Sequence, residues 1–200
     1  SQSLIDSPII EKLQLGEGLG AGCDPEEGRR LAVEKVDEIK KRLSDGTKML
    51  FITAGMGGGT GTGAAPVIAK ISKEMGLLTI AVVTQPFRDE GTEFLRRAYE
   101  GIQELSKNVD SLLIIDNQKI YDIYGDLDIW DAFPKADAVL QTAIKGIAEI
   151  ITGHGYINVD FADVRRVMKD SGMAIMGSGE ASGANRAEIA VERAFTSPLI

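Results

Sequence analysis

Apolar positions along the chain switch between two periods. Four short, near-continuous apolar runs stand out: KMLFITA at 48–54, LLTIAVVT at 77–84, SLLIID at 111–116 and MAIMGSG at 173–179. Their length and their bounding glycines and polar residues predict buried strands. Between them the apolar residues recur at helical spacing. A helix is expected over 24–43, where Asp24 suits the N-cap, Pro25 the first helical position and Glu27 the third position of a capping box. Ala32, Val36, Ile39 and Leu43 share one face of it. Further helices are predicted at 61–75, at 92–108 around Leu95, Ala98, Tyr99, Ile102 and Leu105, and at about 135–152 around Val139, Leu140, Ile144, Ile147 and Ile151. A short segment around 118–123 precedes the long helix, and two more helices are expected at 160–169 and 184–196.

Apolar strands alternating with helices predict an α/β fold, a Rossmann-like parallel sheet with helices on both faces. Right-handed crossovers then bring every strand-to-helix turn to one edge of the sheet, where ligands of such folds bind. Two hundred residues suffice for one sizeable core or a core and part of a second. The net charge of −8 repels phosphate backbones, so nucleic acid is not an expected partner. A single nucleotide held by backbone N–H groups remains compatible with it. Cys23 is the only cysteine and His154 the only histidine, which excludes an intrachain disulfide, His-rich metal sites and most Ser–His or Cys–His catalysis. No uncharged apolar run reaches the roughly 18–20 residues that cross a bilayer, so direct membrane insertion is not expected. The beginning, SQSLIDSPII, lacks a signal core, and FTSPLI follows directly on a predicted helix. Both ends read as cuts through a longer protein.

The chemistry concentrates first in AGMGGGTGTGAAP, 54–66, between a predicted strand and a predicted helix. Gly57, Gly58, Gly59, Gly61 and Gly63 clear side chains from where an anion must approach the backbone, and Thr60 and Thr62 add hydroxyls. The free N–H groups and positive dipole end of a helix start favour phosphate there. No GxxxxGK[ST] loop is present. The alternative for these glycines is tight helix–strand packing. Gly59-x-Gly61-x-x-Ala64 also fits a dinucleotide fingerprint, so an NAD-type Rossmann oxidoreductase is the rival function. That rival wants an acid at the end of the next strand, which instead ends in Thr84 and Gln85, with Asp89 and Glu90 slightly later.

GGGTGTG at 57–63 resembles the signature of the tubulin/FtsZ family of GTPases, and its surroundings resemble the bacterial cell-division branch rather than tubulin. GLGAGCDPEEG at 18–28 is similar to the family loop that meets the terminal phosphates, VVTQPFRDEG at 82–91 to its sugar-side loop, AFPKADAVL at 132–140 to the start of its central helix and NVDFADVR at 158–165 to its catalytic loop. The resemblance implies a site for GTP or GDP, with Mg²⁺ expected beside the triphosphate. Gly57 to Gly59, Thr60, Gly61 and Thr62 would hold phosphates, and Gly20, Ala21 and Gly22 would offer N–H groups near the terminal one. Glu90 would bind ribose hydroxyls, and Asn117 and Asp137 would read guanine. Asp160, Asp163 and Asn158 would serve catalysis. It also implies residues 1–152 as the nucleotide-binding domain, lacking its first strand and first glycine loop, and 153–200 as the catalytic loop and the beginning of a second domain. Where the family usually carries an arginine four residues after the sugar-side glutamate, this chain has Phe94, with Arg96 and Arg97 on other helix faces.

Asp160 and Asp163, spaced i, i+3, share a face of a first helical turn, where they could position a water or simply cap the helix. They follow the far end of a helix of about 17 residues, roughly 25 Å long, whose start belongs to the nucleotide edge. That puts them out of reach of their own glycine loop. Either they do not act on nucleotide or they act on a neighbour's, through a heterologous contact that propagates as a head-to-tail filament. The expected partners are therefore further copies of the chain, and the resemblance also implies division proteins and membrane adaptors joined through a C-terminal tail beyond this chain, in the bacterial cytoplasm at the division site. A scaffold that binds nucleotide without hydrolysing it is a third reading, against which the two aspartates argue. Trp130, Cys23 and His154 read as packing or loop residues.

Overall fold

A computed structural model describes residues 2–119, 129–152, 159–177 and 179–196. The elements are α1 (Gln2–Asp6), α2 (Pro25–Glu34), α3 (Val36–Leu43), β1 (Met49–Gly55), α4 (Thr60–Glu74), β2 (Leu78–Gln85), a 3₁₀ turn (Arg88–Glu90), α5 (Thr92–Ser106), β3 (Ser111–Asp116), α6 (Ile129–Thr152), α7 (Phe161–Met168), β4 (Gly172–Ala174) and α8 (Arg186–Phe195). The four strands form one parallel sheet in the order β1-β2-β3-β4. Gly55 pairs with Thr84, Gln85 with Asp116 and Ser111 with Gly172, so the strands start along one edge and end along the other.

Strand alternation divides the core in two. From β2, Ala81 and Val83 point to one face with Ile52 and Leu112, and are covered by Ala65 and Ala69 of α4 and Ala98, Ile102 and Leu105 of α5. Leu78, Ile80 and Val82 point to the other, with Leu113 and Ile115, under Ala143 of α6 and Val164 of α7. A strand buried on both faces has no polar alternation to show, which is why it reads as one apolar run. The helices on both faces agree with the α/β fold expected from the pattern.

Three expected elements differ. The helix over 24–43 is broken at Lys35, whose backbone leaves the helical range (φ −104°, ψ 13°) and donates its N–H back to Ala32 and Val33. The periodic face runs on through the break because both pieces pack on α4, so periodicity could not reveal it. The long helix starts at Ile129 rather than near 135, with Pro134 inside its early turns. The last strand is only Gly172–Ala174; its outer edge has no partner among the described residues, and Met173 and Ile175 are largely exposed. Of the short segment at 118–123, residues 118 and 119 are helical, continuing from 117, and the rest lies outside the described residues.

At the strand-start edge Asp110 is buried and works as a clamp. Its Oδ2 accepts the N–H of Thr79 (2.8 Å), its Oδ1 that of Asp170 (3.3 Å), and its carbonyl that of Gly172 (2.9 Å). One carboxylate thus ties β2, β3 and the segment after α7 together, its burial offset by backbone donors.

At the other edge the fold depends on close backbone approach. A Cβ on Gly28 of α2 would lie 2.3 Å from the Gly59 carbonyl, and one on Gly63 of α4 would lie 2.0 Å from the Pro25 carbonyl. Neither neighbour is a side chain that could rotate away. Gly63→Ala is expected to destabilise the fold by about 2–4 kcal/mol, at or above the usual cost of overpacking, because two helix backbones must separate. Chemical denaturation of the variant measures it.

Candidate functional site

Four segments meet at the strand-end edge. The glycine loop leaves β1 at Gly55 and enters α4. Gly57 has φ 107°, and its N–H donates to Thr62 Oγ1 (2.8 Å), which curls the loop back over the first helical turn. Thr62 is buried, so its side chain shapes the loop from inside, whereas Thr60 is exposed. Gly61 is needed for packing, since a Cβ there would lie 2.6 Å from the Gly55 carbonyl. The N-cap of α4, Gly59, has no side chain to satisfy the first N–H groups of this 15-residue helix. Those groups remain available to an anion. A Cβ on Gly58 would meet nothing within 4 Å, so the loop is open on that side.

The second segment is the turn 20–24, which enters α2. Gly20 and Gly22 have φ 77° and 55° and face open space. Ala21 is buried against Gly59: a Cβ on Gly59 would lie 2.8 Å from Ala21 Cβ and 2.7 Å from the Asp24 nitrogen. Cys23 is also left-handed, at φ 58°, a conformation that costs a non-glycine residue about 1–2 kcal/mol. The turn is tied by Asp24 N–H to the Ala21 carbonyl (2.8 Å) and by Arg97 Nη1 to the Cys23 carbonyl (2.6 Å). Arg97 is aligned by Glu93, whose carboxyl is held down at about 2 chiefly by its hydrogen bonds from Arg96. Because Glu93 is lowered below its ordinary 4.5, the pair stays ionised from neutral pH down to about 2.

The third segment is the turn 86–91. Glu90 Oε1 accepts the Phe87 N–H (2.8 Å), which fixes the carboxylate at the mouth of its own 3₁₀ turn. Arg88 N–H donates to Gln118 Oε1 (3.2 Å), and Gln118 N–H to Asp116 Oδ1 (3.0 Å), joining this turn to the fourth segment at the end of β3. There Asn117 is 4% exposed and its Oδ1 has no hydrogen-bond partner among the described residues. A buried amide oxygen without a donor is costly, so this one suits a ligand N–H. The Phe87 ring meets Phe133 of α6 edge-on at 5.4 Å, bringing the start of the long helix to the same edge. Asp137 follows one helical turn after Phe133 and is exposed. Phe94, in place of the expected arginine, closes the loop's other flank: its carbonyl and its Cδ1 would lie 3.0 and 3.1 Å from a Cβ on Gly57.

The two aspartates lie elsewhere. Asp160 caps α7, accepting the Asp163 N–H at 2.9 Å, while Asp163 accepts the Asp160 N–H at 3.2 Å. The capping reading of this pair is therefore present in the structure, and both residues are exposed. Arg165 of the same helix donates to the carbonyl of Gly76, just before β2 begins, at 3.3 Å. The pair thus belongs to the strand-start side, separated from the glycine loop by the eight residues of β2, about 26 Å at ~3.3 Å each. Asn158 lies outside the described residues. Among the described residues no three Cys, His or acidic side chains converge as a metal site, and no helix is long and apolar enough to cross a membrane.

Residues 4–125 match the Tubulin/FtsZ family, GTPase domain. The chain belongs to this family. It is 52% identical over 205 positions to the cell division protein FtsZ of Wigglesworthia glossinidia brevipalpis, a match covering 100% of this chain and 53% of that protein. Against the cell division protein FtsZ of Aquifex aeolicus it is 49% identical, covering 100% of the chain and 55% of the relative. The solved empty FtsZ dimer of M. jannaschii superposes with a TM-score of 0.94 at 46% identity, over 100% of this chain and 59% of that one. The chain therefore spans about half the length of the curated family members it matches.

The glycine loop was legible from composition and spacing, and the 18–28 turn from its resemblance to the family. The Arg97–Cys23 tie, the Phe87–Phe133 contact and the Asp110 clamp were not, because each joins segments far apart in sequence. Gly58→Ala is expected to leave the midpoint of thermal unfolding within about 2 °C, since the new methyl meets open space. If the loop is an anion cradle, the substitution is expected to weaken nucleotide binding about tenfold or more, because the methyl would stand in the open approach to the backbone. Paired calorimetric unfolding and titration distinguish the two effects.

Proposed function

We propose that this chain is the nucleotide-binding part of a GTP-hydrolysing, self-assembling protein whose hydrolytic site is completed between subunits. The observation carrying the reading is that an open glycine cradle and an exposed pair of aspartates occupy opposite edges of one sheet. Hydrolysis needs a water held within hydrogen-bond reach of a carboxylate or its equivalent, and about 26 Å is far outside that reach. A second copy stacked strand-start edge onto strand-end edge supplies the missing half, and such a contact repeats without closing.

The residues suit a guanine nucleotide. Gly58, Gly59, Thr60 and Gly61 would hold phosphates at the uncapped start of α4, Thr62 keeping the loop in shape. Gly20, Ala21 and Gly22 would face the outermost phosphate. Asn117 Oδ1, buried and lacking a donor, suits the N–H groups that guanine presents, with Asp137 nearby on α6. Glu90 would take ribose hydroxyls with the carboxylate oxygen its turn leaves over. Mg²⁺ would ride with the triphosphate and offset its charge. Asp160 and Asp163, with Asn158, would orient water on the neighbour's nucleotide. The acceleration would come from positioning and preorganised electrostatics, with little covalent chemistry for the protein to perform.

The dinucleotide oxidoreductase has less support, since β2 ends in Thr84 and Gln85 and the Glu90 carboxylate caps its own turn. The family relatives named as cell division proteins support placing the activity at the division site of the bacterial cytoplasm. The relative solved as a dimer supports self-association. Residues 153–200 would open a second domain, and division proteins and membrane adaptors would join through a tail beyond this chain.

Asp163→Asn in the full-length protein tests this reading, because the amide oxygen still accepts the Asp160 N–H and keeps the cap. GTP affinity is expected to stay within about twofold while turnover falls about a hundredfold or more, the range for losing a positioned acid–base group. Lost affinity with unchanged turnover per bound nucleotide contradicts it.

A further inference from the structure

Helix α5 braces both loops of the cradle. Phe94, in its first turn, lies against Gly57, and Arg97, about one turn on, crosses to the Cys23 carbonyl 74 residues away. The Arg97 side chain is only 25% exposed, and its Nε donates to Glu93 Oε1 at 3.0 Å, so the guanidinium is aimed before it meets the turn. The helix beneath is rooted in the core by Ala98, Ile102 and Leu105.

The turn needs such a brace. Gly20, Gly22 and Cys23 all sit at positive φ, Cys23 without the freedom of glycine. The Cys23 thiol is exposed and in no disulfide, and the Asp24 carboxylate is spent on the N–H of Glu26. Asp24 is anchored to α2 by the Gly28 N–H on its carbonyl and closes the turn onto the Ala21 carbonyl, and Ala21 packs on Gly59; at Cys23 itself the guanidinium of Arg97 is the one tie among the described residues. A charge-assisted bond of this kind is about twice as strong as a neutral one. It holds the turn by a carbonyl, and leaves Gly20 and Gly22 with open space beside their Cα atoms and no hydrogen bond from their N–H groups among the described residues.

We propose that Arg97 is a positioning residue for triphosphate recognition: it touches no nucleotide, but sets the turn 20–24 so that its N–H groups meet the outermost phosphate. The inference rests on the reading of this edge as the GTP site. It gives the change at position 94 a consequence. With Phe94 packed on Gly57, the cation of this helix lies one turn further along and acts on the protein's own backbone. GDP, lacking the outermost phosphate, gains little from an ordered turn, so Arg97 contributes to selectivity between the two nucleotides rather than to binding in general.

The test uses full-length protein carrying Arg97→Ala, Arg97→Lys or, as a control, Arg96→Ala, which removes a neighbouring pairing with Glu93 and Glu100 but no contact with the turn. Affinities for GTP and GDP are measured separately, alongside thermal unfolding. Arg97→Ala is expected to weaken GTP about tenfold, as loss of one charge-assisted bond predicts, and GDP less than about threefold, with unchanged unfolding. Arg97→Lys is expected to recover part of the GTP affinity, and Arg96→Ala to change neither. An unchanged GTP-to-GDP ratio in Arg97→Ala, or equal loss of both with a lowered unfolding midpoint, overturns the proposal while leaving the nucleotide reading standing. Absence of nucleotide binding by the unmodified protein overturns that reading and the proposal with it.

Discussion

The approach of α2 to the start of α4 is the contact on which the functional edge depends. Gly28 lies over the Gly59 carbonyl and Gly63 over the Pro25 carbonyl, at distances no side chain would permit. Only that approach brings the turn 20–24 down onto Gly59, where Ala21 and the Asp24 nitrogen meet it. Two segments that each bend through positive φ are thereby fused into one concave surface lined by backbone. The glycines in this region do different work. Gly28, Gly61 and Gly63 allow packing, Gly57 allows the curl closed by Thr62, and Gly20, Gly22 and Gly58 leave open space. The packing reading of a glycine-rich turn holds at Gly28, Gly61 and Gly63, and the binding reading is proposed for the glycines that face open space.

The parallel sheet sets the second constraint. Its register places the ends of β1, β2 and β3 together and their starts together, with β2 as the buried spacer between. Asp110 locks the starting edge, and through Asp170 and Gly172 it fixes the segment that follows α7. Because α7 is tied to that edge, its aspartates cannot approach the cradle of the same chain without dismantling the sheet. The same geometry that makes a stable α/β core separates the two halves of the proposed site. Capping and catalysis are compatible uses of Asp160 and Asp163, since the cap holds both carboxylates at an exposed helix start.

Much of this was legible in the sequence. The strands were readable because burial on both faces leaves unbroken apolar runs, and the cradle because seven residues held five glycines and two threonines between a strand and a helix. The break at Lys35 was not readable, because α2 and α3 pack on the same helix and keep a continuous apolar face across it. The short β4 was overestimated because Ala174, Ile175 and Met176 read as a core strand, whereas the pairing with β3 stops at Ala174. Long-range ties such as Arg97 to Cys23 left no trace in local pattern, since a guanidinium on a helix surface looks the same whether it meets water or a distant carbonyl. Position 94 was visible as a departure, but its use as a cover for Gly57 needed coordinates.

The most direct test of the shared site mixes two impaired full-length proteins at a GTP concentration too low to fill the obstructed cradle. One carries Gly58→Ala, which obstructs the cradle but leaves the aspartates, and the other carries Asp163→Asn, which leaves the cradle but removes the acid. If the site is completed between subunits, the mixture regains GTP turnover well above the sum of the two alone, because one kind of contact unites an intact cradle with an intact acidic pair. Turnover that stays at the sum across all mixing ratios, while the two proteins are shown to co-assemble, contradicts the account.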